Sequence, residues 1–177
     1  MNSKFQKQLL QLDQSLTEML EKLKDFSDDQ LNRPPKKGGW SAIQVMHHLL
    51  LAERLSLAYV LKKLSFQPEL KRAGLEAMMR SQLLNLYLGL PFKFEAPPHI
   101  GTPALPERAS FWETAKSWKQ ERQKLQQFLK DLPSDLDNKA LYKHPFAGRI
   151  SLGNMLSFFQ AHFYRHRKQI FRVLDEY

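Results

Sequence analysis

The 177-residue chain contains no cysteine. That single absence excludes a disulfide framework, a thiolate zinc site, an iron–sulfur cluster and a cysteine nucleophile. Any metal must therefore be held by His, Asp, Glu or backbone oxygen. Long apolar runs are also missing: the most apolar helix is interrupted by Glu53 and Arg54 well short of the roughly 18 residues a membrane span needs. The first residues carry Lys4 and Lys7 and then read LLQLDQSL, without the apolar stretch and cleavage site of a secretory signal. No segment alternates polar and apolar residues with period two, and no Glu-x-x-His pair, the mark of a di-iron bundle, occurs. What remains is the expectation of a cytoplasmic single-domain protein spanning 1–177, with 42% hydrophobic and 25% charged residues.

The formal charge of +9 is unevenly placed, with +4 in residues 62–93, +4 in 141–177 and +2 in 34–61. Such a field can steer an anionic ligand. It forms no dense basic run and comes with no nucleic-acid fold signature, so no nucleic acid and no membrane is expected as a partner.

Apolar residues recur every three or four positions in four blocks. The first runs from Ser3 to Leu31 and stops before Arg33-Pro34-Pro35-Lys36-Lys37-Gly38-Gly39, a strong breaker cluster. Ser41 is the expected N-cap of the second, which runs to Leu64 with Val45, His48, Ala52, Leu55 and Tyr59 on one stripe. Residues 69–88 read as a further helix weakened by Gly74. Five prolines and two glycines between Gly89 and Pro106 rule out regular helix there. The third main helix is expected over 106–132 and the last over 152–176, capped by Ser151. These elements predict an all-α protein, an antiparallel four-helix bundle with one long crossover connection.

The chemistry sits in the last helix. His162 and His166 fall within its apolar progression 155, 159, 162, 166, 170, 173. Residues four apart share one helix face, so both imidazoles point into the bundle and can reach a single ion. In the second helix His48 lies on the inward stripe, while its neighbour His47, about 100° round the helix, belongs at an interface or in water. Three imidazoles on one side of an ion leave positions open for water or substrate. The competing reading is that of buried histidines satisfied by hydrogen bonds.

The segments GGWSAIQVMHHL (38–49) and HPFAGRISLGNMLSFFQAHFYRHRKQI (144–170) together resemble the DinB-like, or YfiT-like, superfamily of metal-dependent proteins. There a His lies eight positions after a Trp that precedes Ser, as His48 follows Trp40, and an HxxxH pair in the last helix supplies two more ligands, matching His162 and His166. The resemblance implies a four-helix bundle holding a divalent ion, zinc or nickel, often as a homodimer. It implies a small-molecule substrate, and in some relatives a low-molecular-weight thiol is transferred. Three functions stay open: a metal-dependent thiol S-transferase, a metal-dependent hydrolase activating water, and a non-enzymatic helical scaffold. Glu53, about 140° round the helix from His48, is expected to bridge to a neighbouring helix and not to serve the ion. Trp40 reads as a core anchor, His144 and His99 as loop residues, and Arg165 and Arg167 as solvent-facing.

Overall fold

The structure is a computed structural model that describes residues 2–90 and 96–177. Six helices and a two-stranded hairpin follow in the order α1 (Ser3–Leu23), α2 (Asp28–Asn32), α3 (Ala42–Ser65), α4 (Leu75–Gly89), α5 (Phe111–Asp131), β1 (Tyr142–His144), β2 (Gly148–Ile150) and α6 (Leu152–Leu174). The four long helices α1, α3, α5 and α6 form the bundle. Going round it, α1 touches α6 and α5, and α3 touches α6 and α5.

Cross-helix partners fix the directions. His47 meets Thr114 and Arg54 meets Glu121, so α3 and α5 run parallel. Gln8 meets Ser157 and Ser15 meets Gln160, so α1 and α6 also run parallel, opposite to the first pair. Two parallel neighbours cannot be joined by a tight turn. The chain between α3 and α5 must travel back along the bundle, and this is the long crossover the prolines announced. Its part 91–95 lies outside the described residues.

Local chemistry explains where the boundaries depart from the sequence reading. The first block is two helices, because Lys24 closes α1 and Ser27 opens α2 with a capping box, its hydroxyl accepting from Gln30 N–H while Gln30 Oε1 accepts from Ser27 N–H. Ser41 opens α3 with the same box, using Gln44. Residues 69–74 are not helical. Their backbone pairs with 138–140, through Ala73 N–H to Asn138 O and Ala140 N–H to Lys71 O, and extended Gly74 is the N-cap of α4. α5 begins at Phe111 and not at Pro106, since Asp28 accepts from Phe111 N–H and Asn32 bonds both backbone groups of Ala109. These caps come from α2, about 80 positions away in the chain, and no local signal reveals them. The hairpin is too short to show an alternating pattern; Gly148, at φ +66°, supplies the left-handed residue its turn requires.

The core falls into two clusters stacked along the bundle. One gathers Leu9, Leu12, Val60, Leu129 and Phe159; the other gathers Met19, Leu49, Trp118, Phe163 and Ile170. Full burial of a side chain the size of Phe163 contributes about 2–3 kcal/mol. α4 differs from the others in carrying a second apolar stripe on its outward side. Ala77, Ser81, Leu84 and Leu88 face the bundle, while Leu75, Met79, Leu83 and Leu86 are each more than half exposed. No described helix is long and apolar enough to cross a membrane.

Candidate metal centre

α3 and α6 pack side by side and bring three of the predicted imidazoles together. His48 comes from the first third of α3, His162 from the middle of α6, and His166 from one turn further on. All three are buried. Their ring centroids lie 4.6–5.0 Å apart, and one nitrogen from each falls within 4.8 Å of the others. The Nε2 atoms of His48 and His162 are 3.1 Å apart. Two nitrogens bound to one tetrahedral ion at about 2.0–2.1 Å each sit about 3.3 Å apart, so this spacing suits a shared ion.

The outer ring nitrogens settle where the lone pairs point. His48 Nδ1 is 2.8 Å from the carbonyl oxygen of Ile100, which can only accept, so the proton is on Nδ1 and Nε2 presents its lone pair. His166 Nδ1 donates in the same way to Gln169 Oε1 at 2.8 Å. A carbonyl behind the imidazole is the usual outer partner of a metal-ligating histidine, fixing the tautomer and raising basicity. No carboxylate joins the triad among the described residues.

Burial keeps these imidazoles neutral. It is the leading cause for His162, whose pKa lies well below the ordinary value, with His166 and His48 adding to the effect. Burial and then His48 push His166 down to about 3. Burial also lowers His48, opposed by the Ile100 carbonyl. At neutral pH every ring is therefore an uncharged donor with a lone pair to give. The donor set, its spacing and its outer bonds fit a divalent late transition-metal ion.

The surroundings correct several expectations. His47 bonds Thr114 at the α3–α5 interface, as its offset from the stripe predicted. Leu55, placed on that stripe, is 39% exposed, because α3 sits between α5 and α6 and buries Leu49, Leu50, Glu53, Leu57 and Val60 instead. Trp40 does more than anchor the core: its ring lies 4.9 Å from that of His48, and its Nε1–H donates to Thr102 Oγ1. Arg165 does not simply face solvent but donates to the carbonyls of Leu88 and Leu90, tying α6 to the end of α4. Arg167 lies 3.8 Å from Glu18. Glu53 takes no part in the centre. Its carboxylate accepts from Arg122 Nε–H and Nη2–H and from Trp118 Nε1–H on α5.

His144 is buried close to the triad. Its ring meets Phe158 edge-on at 4.4 Å, and Phe158 stacks on His162 at 5.1 Å with 17° between planes. Its Nδ1 accepts from the backbone N–H groups of Phe146 and Ala147, which leaves Nε2–H as a neutral donor. Burial pushes its pKa down to about 4. His99 is exposed. Its neighbour Ile100 makes the contact that matters, through a backbone carbonyl that no residue pattern can advertise.

A model of the DinB superfamily matches residues 11–170. Among solved structures, YfiT from Bacillus subtilis, described as a probable metal-dependent hydrolase with an unusual four-helix bundle topology, aligns with a TM-score of 0.57. The two share 17% identity, over 98% of this chain and 87% of that one. At that identity the likeness is one of fold. No curated protein matches this sequence.

Proposed function

The chain belongs to the DinB superfamily, and we propose that His48, His162 and His166 hold one divalent ion, zinc or nickel, in a metal-dependent enzyme that transfers a low-molecular-weight thiol to a small electrophile. The observation that carries this reading is the convergence of three neutral imidazoles whose outer nitrogens, at His48 and His166, already donate to carbonyl oxygens. An all-imidazole set on one side leaves open coordination positions. Bound there, a divalent ion supplies Lewis acidity, lowering the pKa of a thiol or water that reaches it.

Thiol is favoured over water by the ease with which each loses its proton. Glu53, the buried acid of α3, is occupied by Arg122 and Trp118 and cannot take a proton from a nucleophile. No carboxylate among the described residues joins the triad, so a nucleophile that ionises readily by itself suits it better. A thiol, with an ordinary pKa of about 8.5, needs a far smaller shift than water at about 15.7. In the transfer the thiol gives its proton to solvent, its sulfur forms a bond to the electrophilic carbon, and the bond from that carbon to the leaving group breaks, the leaving group departing with the electron pair. The chain's own groups bind and orient: Ile100 and Gln169 hold two ligand rings, Phe158 shields His162 from one side, and His144 Nε2–H is a neutral donor beside the triad. The net positive charge favours an anionic thiol. Hydrolysis is the second reading, supported by the description of the structural neighbour.

We also propose that two copies pair across the outward stripe of α4. Leu75, Met79, Leu83 and Leu86 are each more than half exposed along one stripe of α4, and Phe146 lies beside them at 70% exposure, a contiguous apolar face of the kind that marks an interaction site.

Elemental analysis of the protein tests the centre. Wild type should carry about one zinc or nickel per chain, and a folded His48→Ala, His162→Ala, His166→Ala variant none. With the ion established, parallel panels of thiols with alkylating electrophiles, and of esters and amides, decide the reaction. Turnover that requires a thiol supports transfer, and turnover in its absence establishes hydrolysis. A wild type that takes up neither metal overturns both.

A further inference from the structure

Among the described residues of the crossover between α4 and α5, Ile100 reaches the centre through its carbonyl oxygen, which accepts from His48 Nδ1–H. We propose that residues 96–106 are the positioning element of His48, holding its ring in the one tautomer and orientation that present Nε2 to the ion. This inference rests on the metal reading of the triad.

The segment is built to hold that atom still. Ile100 N–H closes a turn onto the Pro97 carbonyl, and a short 3₁₀ turn over Thr102–Ala104 follows, closed by Ala104 N–H to Gly101 O and Leu105 N–H to Thr102 O. Gly101 sits where these turns meet. A Cβ there would lie 3.0 Å from Ala96 O and 3.1 Å from Pro97 O, two backbone atoms that cannot move aside cheaply. The turn is then gripped from both sides of the α3 N-terminus. Trp40 Nε1–H donates to Thr102 Oγ1 at 2.9 Å, and Gln44 Nε2–H donates to Pro106 O at 3.1 Å. The Trp40 ring also lies 4.9 Å from the His48 ring, tilted by 40°. Trp40, Thr102, Ile100 and His48 thus form a closed ring of contacts, and one side of it is a ligand.

The physical consequence is specific. Without the Ile100 oxygen in place, the Nδ1–H of His48 is buried and unpaired, and the ring gains by moving its proton to Nε2 or by turning. Either change withdraws a lone pair from the triad while leaving all three histidines in the sequence. Loss of an outer partner of this kind weakens metal binding by about 10–100-fold.

Thr102→Val removes the hydroxyl with little change of shape, and Trp40→Phe removes the indole donor while keeping a ring beside His48. With their double variant and Gly101→Ala they make the test. Two readouts are taken on the full chain: zinc affinity by chelator competition, and the imidazole ¹⁵N shifts of His48 in the metal-free protein. Wild type should show His48 protonated on Nδ1. Thr102→Val and Trp40→Phe should each weaken zinc binding about tenfold, and the double variant should be little worse than either single, since both break one bond. Gly101→Ala should weaken it 10–100-fold, with the Nε2-protonated tautomer appearing in its ¹⁵N spectrum; if that variant fails to fold, the Thr102→Val and Trp40→Phe pair decides. Affinities within twofold of wild type together with an unchanged tautomer overturn the proposal. A wild type that binds no zinc or nickel overturns the metal reading instead, and the positioning claim then stands or falls on the ¹⁵N shifts alone.

Discussion

The buried ion pair between α3 and α5 offers the sharpest test of how the bundle is held together. Glu53 and Arg122 are 5% and 3% exposed. The carboxylate accepts two guanidinium hydrogens, one at 2.7 Å, and the Trp118 indole N–H at 3.1 Å. Glu53→Gln keeps the shape and removes the charge. Among the described residues the guanidinium is then left with Asp13, 3.5 Å from Nη1 and half-buried, as counter-charge. Burial already holds the Asp13 carboxyl above its usual range despite Arg122, so it is a poor substitute. At an effective dielectric of about 20, opposite charges about 4 Å apart attract by about 4 kcal/mol, and breaking one side of a buried pair typically costs 3–5 kcal/mol. For a domain of this size that is a fall in Tm of about 10–15 °C. Urea unfolding of metal-free protein measures it. A double change, Glu53→Leu with Arg122→Met, removes the stranded charge and should recover most of the loss. Metal content should not change, because Glu53 touches none of the three histidines. A loss below about 1 kcal/mol for Glu53→Gln, or a double variant less stable than the single, would refute the reasoning.

Two further predictions follow from burial. His144 has a folded pKa of about 4 against an ordinary 6.5, so the unfolded chain binds its proton first as pH falls. Its contribution is complete above pH 6.5 and is lost progressively toward pH 4, at about 1.4 kcal/mol per pH unit and about 3 kcal/mol in all. Urea unfolding of metal-free His144→Asn, which keeps an acceptor for the turn, should show a shallower acid slope than wild type by about one proton; equal slopes would contradict this. On α4, Leu83→Glu should turn a dimer into a folded monomer in size-exclusion chromatography with light scattering, and a wild type that is monomeric at high micromolar concentration removes the pairing proposal.

Helix by helix, the sequence reading succeeded where the information was local. Ser41 and Ser151 open α3 and α6 as expected, because an N-cap needs only its own next few residues. The inward face of α6 follows from a 3.6-residue period, and that period alone puts His162 and His166 on one side. The absence of cysteine fixed the chemical character of any metal site before a fold was known. It failed where the deciding partner was distant. The start of α5 is set by Asp28 and Asn32 of α2, and the extended run at 69–74 by the backbone of 138–140. Arg165 read as a solvated charge because the carbonyls of Leu88 and Leu90 that bind it belong to another helix.

The centre divides in the same way. Residue type and spacing on two helices are properties of the chain, so the three imidazoles were legible in advance. Their meeting was expected from the family resemblance and not from helical period, since it depends on α3 and α6 becoming neighbours, which the parallel arrangement of α3 with α5 and the return crossover bring about. The Ile100 carbonyl was not legible, because every residue carries one and only tertiary folding decides which of them a histidine finds. Residue identity and helical period dictate which donors this protein can offer an ion. Packing of α3 against α6 makes three of them converge, and the carbonyls behind His48 and His166 select which of their nitrogens face inward.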